Sequence, residues 1–165
     1  MKEQIVKTAY LSIGSNLGER EKNLSEVVAR IRKETGNVVA VSSVYETEPW
    51  GFVASSLFLN MVVRVETELE PQILLDALLH IEKSMGRAMN MEKYSSRIID
   101  IDILFYEDII IDRHNLKIPH PHLHERRFVL EPLAEISPDY VHPVFKKTVS
   151  SLLELCNDTG AISKI

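Results

Sequence analysis

The chain has 165 residues, 45% of them hydrophobic and 26% charged, and a formal net charge of −5 at pH 7. That length suffices for one domain with a sizeable core, so residues 1–165 are read as a single unit, and the composition excludes a disordered or fibrous protein. The acidic balance excludes a general nucleic-acid binder, and no apolar run is long enough to span a bilayer.

The N-terminus, "MKEQIVKTAYLSIGSN", lacks the continuous apolar stretch of a signal peptide, so a cytoplasmic protein is expected. Within it "TAYLSIG" (8–14) reads as a first strand, and "SNLGER" supplies turn and cap residues. From Glu21 to Thr35 the residues Leu24, Val27, Val28 and Ile31 recur at helical spacing, with Gly36 placed to stop the helix. "VVAVSSVYET" (38–47) and "FLNMVVRVET" (58–67) read as two strands, separated by a long aromatic loop containing Pro49, Trp50 and Gly51. Pro71 opens a second helix with Leu74, Leu75, Leu78, Ile81 and Met85 on one face, ending at Gly86. "RIIDIDILFY" (97–106) is a fourth strand. The order is βαββαβ, which predicts an α+β, ferredoxin-like core: an antiparallel sheet covered by helices, with additional C-terminal elements. Those elements are a short strand in "DIIID", a Pro- and His-rich segment "IPHPHLHERRF", a helical pattern in "VLEPLAEI", and a last helix near 148–156. Cys156, the single cysteine, reads as a small apolar residue of that helix.

Strand four carries the chemistry. Side chains alternate along a strand, so Asp100 and Asp102 share one face while Ile99, Ile101 and Ile103 take the other. Two unneutralised carboxylates at that spacing repel, and a hard divalent cation such as Mg²⁺ relieves the conflict by binding both. A strand turned toward water would also accommodate them. The surrounding cations favour the metal: Arg87, Lys93 and Arg97 precede the pair, and His120, Arg126 and Arg127 follow it, as a metal-bound polyphosphate would require. There is no Walker A pattern, GxGxxG fingerprint or GxSxG elbow. His120, His122 and His124 alternate as zinc ligands could, but the prolines at 119 and 121 point to a loop and no cysteine accompanies them.

"AYLSIGSNLGER", "SSVYETEPWG", "FLNMVVRVET", "GRAMNMEKYSSRIIDIDILFY" and "IPHPHLHERRFVLEPLAEI", in that order, closely resemble the 6-hydroxymethyl-7,8-dihydropterin pyrophosphokinase family of folate biosynthesis. The resemblance implies transfer of a diphosphoryl group from ATP to the pterin hydroxymethyl oxygen, leaving AMP, with two Mg²⁺ ions. It makes Asp100 and Asp102 metal ligands, and with Arg87 and Arg97 the catalytic set. It assigns Glu82, Arg87, Lys93, Arg97, Ile103, Lys117, His120 and Arg126 to the nucleotide. Thr47, Glu48, Trp50, Phe58, Asn60, Tyr94, Asp100 and Phe128 go to the pterin, with Phe58 and Phe128 sandwiching its ring. The implied partners are these small molecules, with association with neighbouring folate enzymes left open.

The departures gather in one segment. The family usually reads GRxRxxRWGPR, whereas this chain has Met89 and Lys93 for arginines, Tyr94 for tryptophan and Ser95-Ser96 for Gly-Pro; Asn115 also stands where arginine is common. A lysine keeps the charge of an arginine but not its bidentate fork. Two rival readings remain: another Mg²⁺-dependent phosphotransferase or phosphohydrolase using the same aspartates, and a non-catalytic ligand-binding domain on the same fold.

Overall fold

The computed structural model describes residues 5–50, 56–86 and 98–165. An antiparallel sheet is built on β1 (Lys7–Ser15) and β4 (Phe58–Thr67), which pair along nine residues from Lys7↔Thr67 to Ser15↔Leu59. β5 (Asp100–Tyr106) flanks β1, and β2 (Gly36–Val41) and β3 (Tyr45–Thr47) both pair with β4 on its other side. A last strand, β8 (Ile162–Lys164), continues the sheet beyond β3. β6 (Ile111–Asp112) and β7 (Lys117–Ile118) form a separate two-stranded ribbon.

Helices cover both faces. α1 (Arg20–Glu34) buries Leu24, Val27 and Ile31, the i, i+3, i+7 stripe of an amphipathic helix. α2 (Pro71–Ser84) opens with proline at its first turn, where the missing N–H costs nothing, and buries Leu74, Leu78, Ile81 and Glu82. Together they enclose Ala9, Leu11 and Ile13 of β1, Met61 and Val63 of β4, and Ile101 and Ile103 of β5. α3 (Arg127–Ile136) and α4 (Val149–Leu155) lie on the opposite face over Tyr10, Val62, Leu104 and Phe105. Thr148 caps α4 by accepting the Ser151 N–H at 3.1 Å.

The expected elements are present with two differences. Residues 38–47 form two strands instead of one, because side chains take over the ladder between them. The Ser42 hydroxyl accepts the Val62 N–H at 2.9 Å, and Glu135 of α3 accepts the Ser43 N–H at 2.7 Å. β7 and β8 have no counterpart in the sequence reading. β2 starts at a glycine for a steric reason: a Cβ on Gly36 would lie 2.2 Å from the Glu66 carbonyl oxygen. Among the described residues no helix is long and apolar enough to cross a membrane.

Candidate active site

Among the described residues, one end of the sheet face that carries α3 is left open. There β1 turns Ser12 and Gly14 outward, paired with Asp102 and Asp100 of β5. Alternation fixes the parity, since Ile101 and Ile103 are buried in the core beneath α1 and α2 while both aspartates stay half-buried on the opposite face. Between Tyr10 and Leu11 the β1–β5 register shifts, leaving Leu104 as the extra residue of a bulge. The bulge brings Leu104 and Phe105 into the α3/α4 core directly after the aspartates, so one strand passes from carboxylates to packed hydrocarbon within three residues.

The aspartates share a cleft with Thr47, Glu48, Phe58, Asn60, Arg126 and Phe128. Phe58 and Phe128 are both half-buried and supply apolar ring faces. Asn60 is buried, and its Nδ2 donates to the Thr47 hydroxyl at 2.6 Å. Its Oδ1 lies over Gly14, where an added Cβ would sit 2.7 Å away, inside van der Waals contact. The glycine therefore lets the carboxamide lie flat against β1. The Arg126 guanidinium is held 4.5 Å from the Trp50 ring centroid and 5.6 Å from that of Phe128, a cation between two aromatic rings that also lines the carboxylate cleft.

His120 approaches the aspartates from the loop after β7. Its backbone N–H donates to the Leu104 carbonyl, and its Nδ1 accepts the His122 N–H at 3.1 Å. The neutral ring must then carry its proton on Nε2, which lies 3.9 Å from Asp102 Oδ2, beyond hydrogen-bond distance. His122 instead pairs with Glu125 at 2.9 Å, and this hydrogen bond holds the Glu125 carboxyl below its usual range. His122 and His124 thus share Glu125, at 2.9 and 3.6 Å, while His120 faces Asp102, and among the described residues no group of three or more His, Cys, Asp or Glu is arranged to hold a metal. The aspartate pair offers hard oxygen donors in a polar cleft and leaves other coordination positions to water and ligand, which fits Mg²⁺ better than zinc.

Other residues singled out in the sequence lie apart from this cleft. Glu82 is buried on α2 and accepts the Ile101 N–H at 2.8 Å, tying the helix to β5. Ile103 is buried in the core beneath α1 and α2. Lys117 pairs with Asp112 at 2.6 Å on the ribbon. Arg87, Lys93, Tyr94 and Arg97 lie outside the described residues, as do the departures at 89, 95 and 96. Ser12 and Gly14 were not singled out, because only the β1–β5 pairing shows that they share a face with the aspartates.

A model of the family described as 7,8-dihydro-6-hydroxymethylpterin-pyrophosphokinase (HPPK) matches residues 10–138. The chain belongs to this family. A 2-amino-4-hydroxy-6-hydroxymethyldihydropteridine pyrophosphokinase from Aquifex aeolicus is 41% identical over 140 residues, 85% of this chain and 86% of the relative. One from Methylorubrum extorquens is 43% identical, covering 92% of this chain and 95% of its own length. The chain also matches the folic acid synthesis protein fol1 of Schizosaccharomyces pombe at 42% identity over 93% of its length, while spanning 21% of that longer protein. Among solved structures, a Plasmodium falciparum HPPK-DHPS superposes with a TM-score of 0.76 at 20% identity; it covers 94% of this chain, which spans 44% of it, and the likeness is one of fold. The HPPK family match ends close to the C-terminal end of α3 and leaves α4 and β8 outside it.

Proposed function

We propose that this HPPK-family chain transfers a diphosphoryl group from ATP to the hydroxymethyl oxygen of 6-hydroxymethyl-7,8-dihydropterin, yielding the pterin diphosphate and AMP in folate biosynthesis. The observation that carries the reading is one cleft in which two phenylalanines and a Thr47–Asn60 pair adjoin two same-face aspartates. A flat heterocycle with polar edges suits the first half of that cleft, and a metal-bound polyphosphate suits the second.

In this reading Phe58 and Phe128 stack on the pterin, Asn60 and Thr47 meet its edge, and Glu48, Trp50 and Tyr94 complete the pocket. Asp100 and Asp102 hold Mg²⁺, two ions being expected, and Asp100 stands at the junction of both substrates. Bound there, Mg²⁺ supplies charge neutralisation on the phosphoryl oxygens. Arg87, Arg97 and Arg126 bind the polyphosphate, with Lys93, Lys117, His120, Glu82 and Ile103 on the nucleotide side. The pterin oxygen attacks the β-phosphorus, the bond between that phosphorus and the α–β bridging oxygen breaks with its electrons passing to AMP, and the hydroxyl proton is released. The protein's task is positioning, because aligned reactants need little further covalent assistance.

The strand order β5–β1–β4–β3, with α1 and α2 on one face, supports a ferredoxin-like core with C-terminal additions, in one domain over 1–165. The fused HPPK-DHPS neighbours support association with a further enzyme of the pathway. A cytoplasmic location accords with the sequence. Incubation with ATP, Mg²⁺ and the dihydropterin, with nucleotides and phosphate resolved by chromatography, tests the reading. AMP in step with pterin diphosphate, absent with Asp100→Ala, is the expected result; ADP or phosphate alone would transfer the site to another phosphotransferase or a phosphohydrolase.

A further inference from the structure

Residues 158–165 follow α4 and lie outside the span matched by the family model. They are attached at three places. Asp158 Oδ2 accepts the N–H of Arg127 at 3.1 Å, and its Oδ1 accepts the Gly160 N–H at 2.9 Å. Arg127 is the first residue of α3, whose preceding residue Arg126 provides no side-chain cap, so Asp158 does the capping from 31 residues away. Next, β8 pairs with β3 in the register Ile162↔Thr47, Ser163↔Glu46 and Lys164↔Tyr45, and the Glu48 N–H donates to the Ala161 carbonyl at 3.3 Å. Last, Lys164 reaches Glu135 of α3 at 3.5 Å, and the Ile165 N–H donates to the Val44 carbonyl at 3.0 Å. Glu135 also accepts from the Tyr45 hydroxyl at 2.5 Å and from Ser43.

These attachments run from one aromatic wall of the cleft to the other. Across the sheet Ile162 pairs with Thr47, and Thr47 pairs with Phe58. On the other side, the amide that Asp158 holds belongs to the residue just before Phe128. A small second cleft behind the first is closed jointly by Thr47, Glu48, Trp50, Phe128, Asp158 and Ala161. β3 is only three residues long, so without β8 it would be an edge strand held by β4 alone. A slot that grips a planar ring by dispersion is sensitive to its width, since a gap of roughly 0.5–1 Å forfeits about a quarter to a half of the contact energy.

We infer that Asp158 is a positioning residue that sets the separation of the Phe58 and Phe128 walls, and so the affinity for the planar ring, through the C-terminal strap. The inference rests on the pterin reading of the cleft. It is tested in the full chain with Asp158→Ala and Asp158→Asn, by steady-state kinetics with each substrate varied and by the emission of Trp50, the single tryptophan. Asp158→Ala raises the pterin KM about tenfold, leaves the ATP KM within about twofold, and shifts Trp50 emission in the unliganded protein. Asp158→Asn, which keeps one acceptor oxygen, falls between it and the parent. An unchanged pterin KM and emission would overturn the inference, and so would an equal rise in both KM values, which marks general loosening. If the parent chain makes no AMP, the proposed reaction fails by itself, while Trp50 emission still shows whether Asp158 fixes that wall.

Discussion

The two ends of one sheet face follow opposite rules. At one end Tyr10, Val62, Leu104 and Phe105 are covered by α3 and α4; at the other, the continuation of the same rows presents Ser12, Gly14, Asn60, Asp100 and Asp102 to a cleft. The β1–β4 register runs unbroken across the boundary while the β1–β5 register shifts there at the Leu104 bulge, so the difference is made by the side chains together with that one extra residue. The packed end has the rigidity that a site held to fractions of an ångström needs, and the open end carries groups whose placement contributes little to packing.

Substitutions at each end should therefore separate activity from stability. At the open end, Asp100→Ala lowers turnover by about 10⁴-fold, or about 5 kcal/mol of barrier, with little change of melting temperature in metal-free buffer, because the half-buried side chain lies outside the packed core. Parallel melting curves and AMP assays check it, and a large drop in melting temperature would contradict the contrast. At the packed end, Phe105 is fully buried and lies against the Tyr10, Tyr140 and His142 rings. Phe105→Ala costs about 4 kcal/mol in urea denaturation while leaving both KM values unchanged in the folded fraction.

The packed end also carries an acid-sensitive group. Burial, and secondarily the charge of His124, lowers the His142 pKa from 6.5 to about 4. Its Nδ1 already accepts the Val144 and Phe145 N–H groups at 3.1 Å each, an arrangement that protonation destroys. The unfolded chain thus takes up this proton first. The stabilisation is complete above about pH 6.5 and declines as pH falls toward 4, by up to about 3 kcal/mol. In His142→Asn, whose carbonyl can accept the same amides, that part of the pH dependence disappears; an unchanged slope from pH 6.5 to 4 would assign it to carboxylates instead.

The smallest effect sharpens the comparison inside the cleft. Gly14→Ala, by pushing a methyl against Asn60 Oδ1, raises the pterin KM about tenfold, or about 1.4 kcal/mol, and spares the ATP KM. In an Asn60→Ala background the same change has no further effect, as a double-mutant cycle would measure.

The sequence by itself determined the helices, the shared face of Asp100 and Asp102, the family motifs and the α+β class with its antiparallel sheet. Each of these is a local pattern: a period of 3.6, a period of 2, or a motif of adjacent residues. The division of residues 38–47 was not legible there, because the competing groups on Val62 and Glu135 come from 20 and more than 90 residues away. Only tertiary structure decided that Gly14 makes room for Asn60, that Arg126 lies between Trp50 and Phe128, and that Asp158 caps α3. These are facts of strand register and long-range docking, fixed by which surfaces bury one another and left unspecified by any local periodicity.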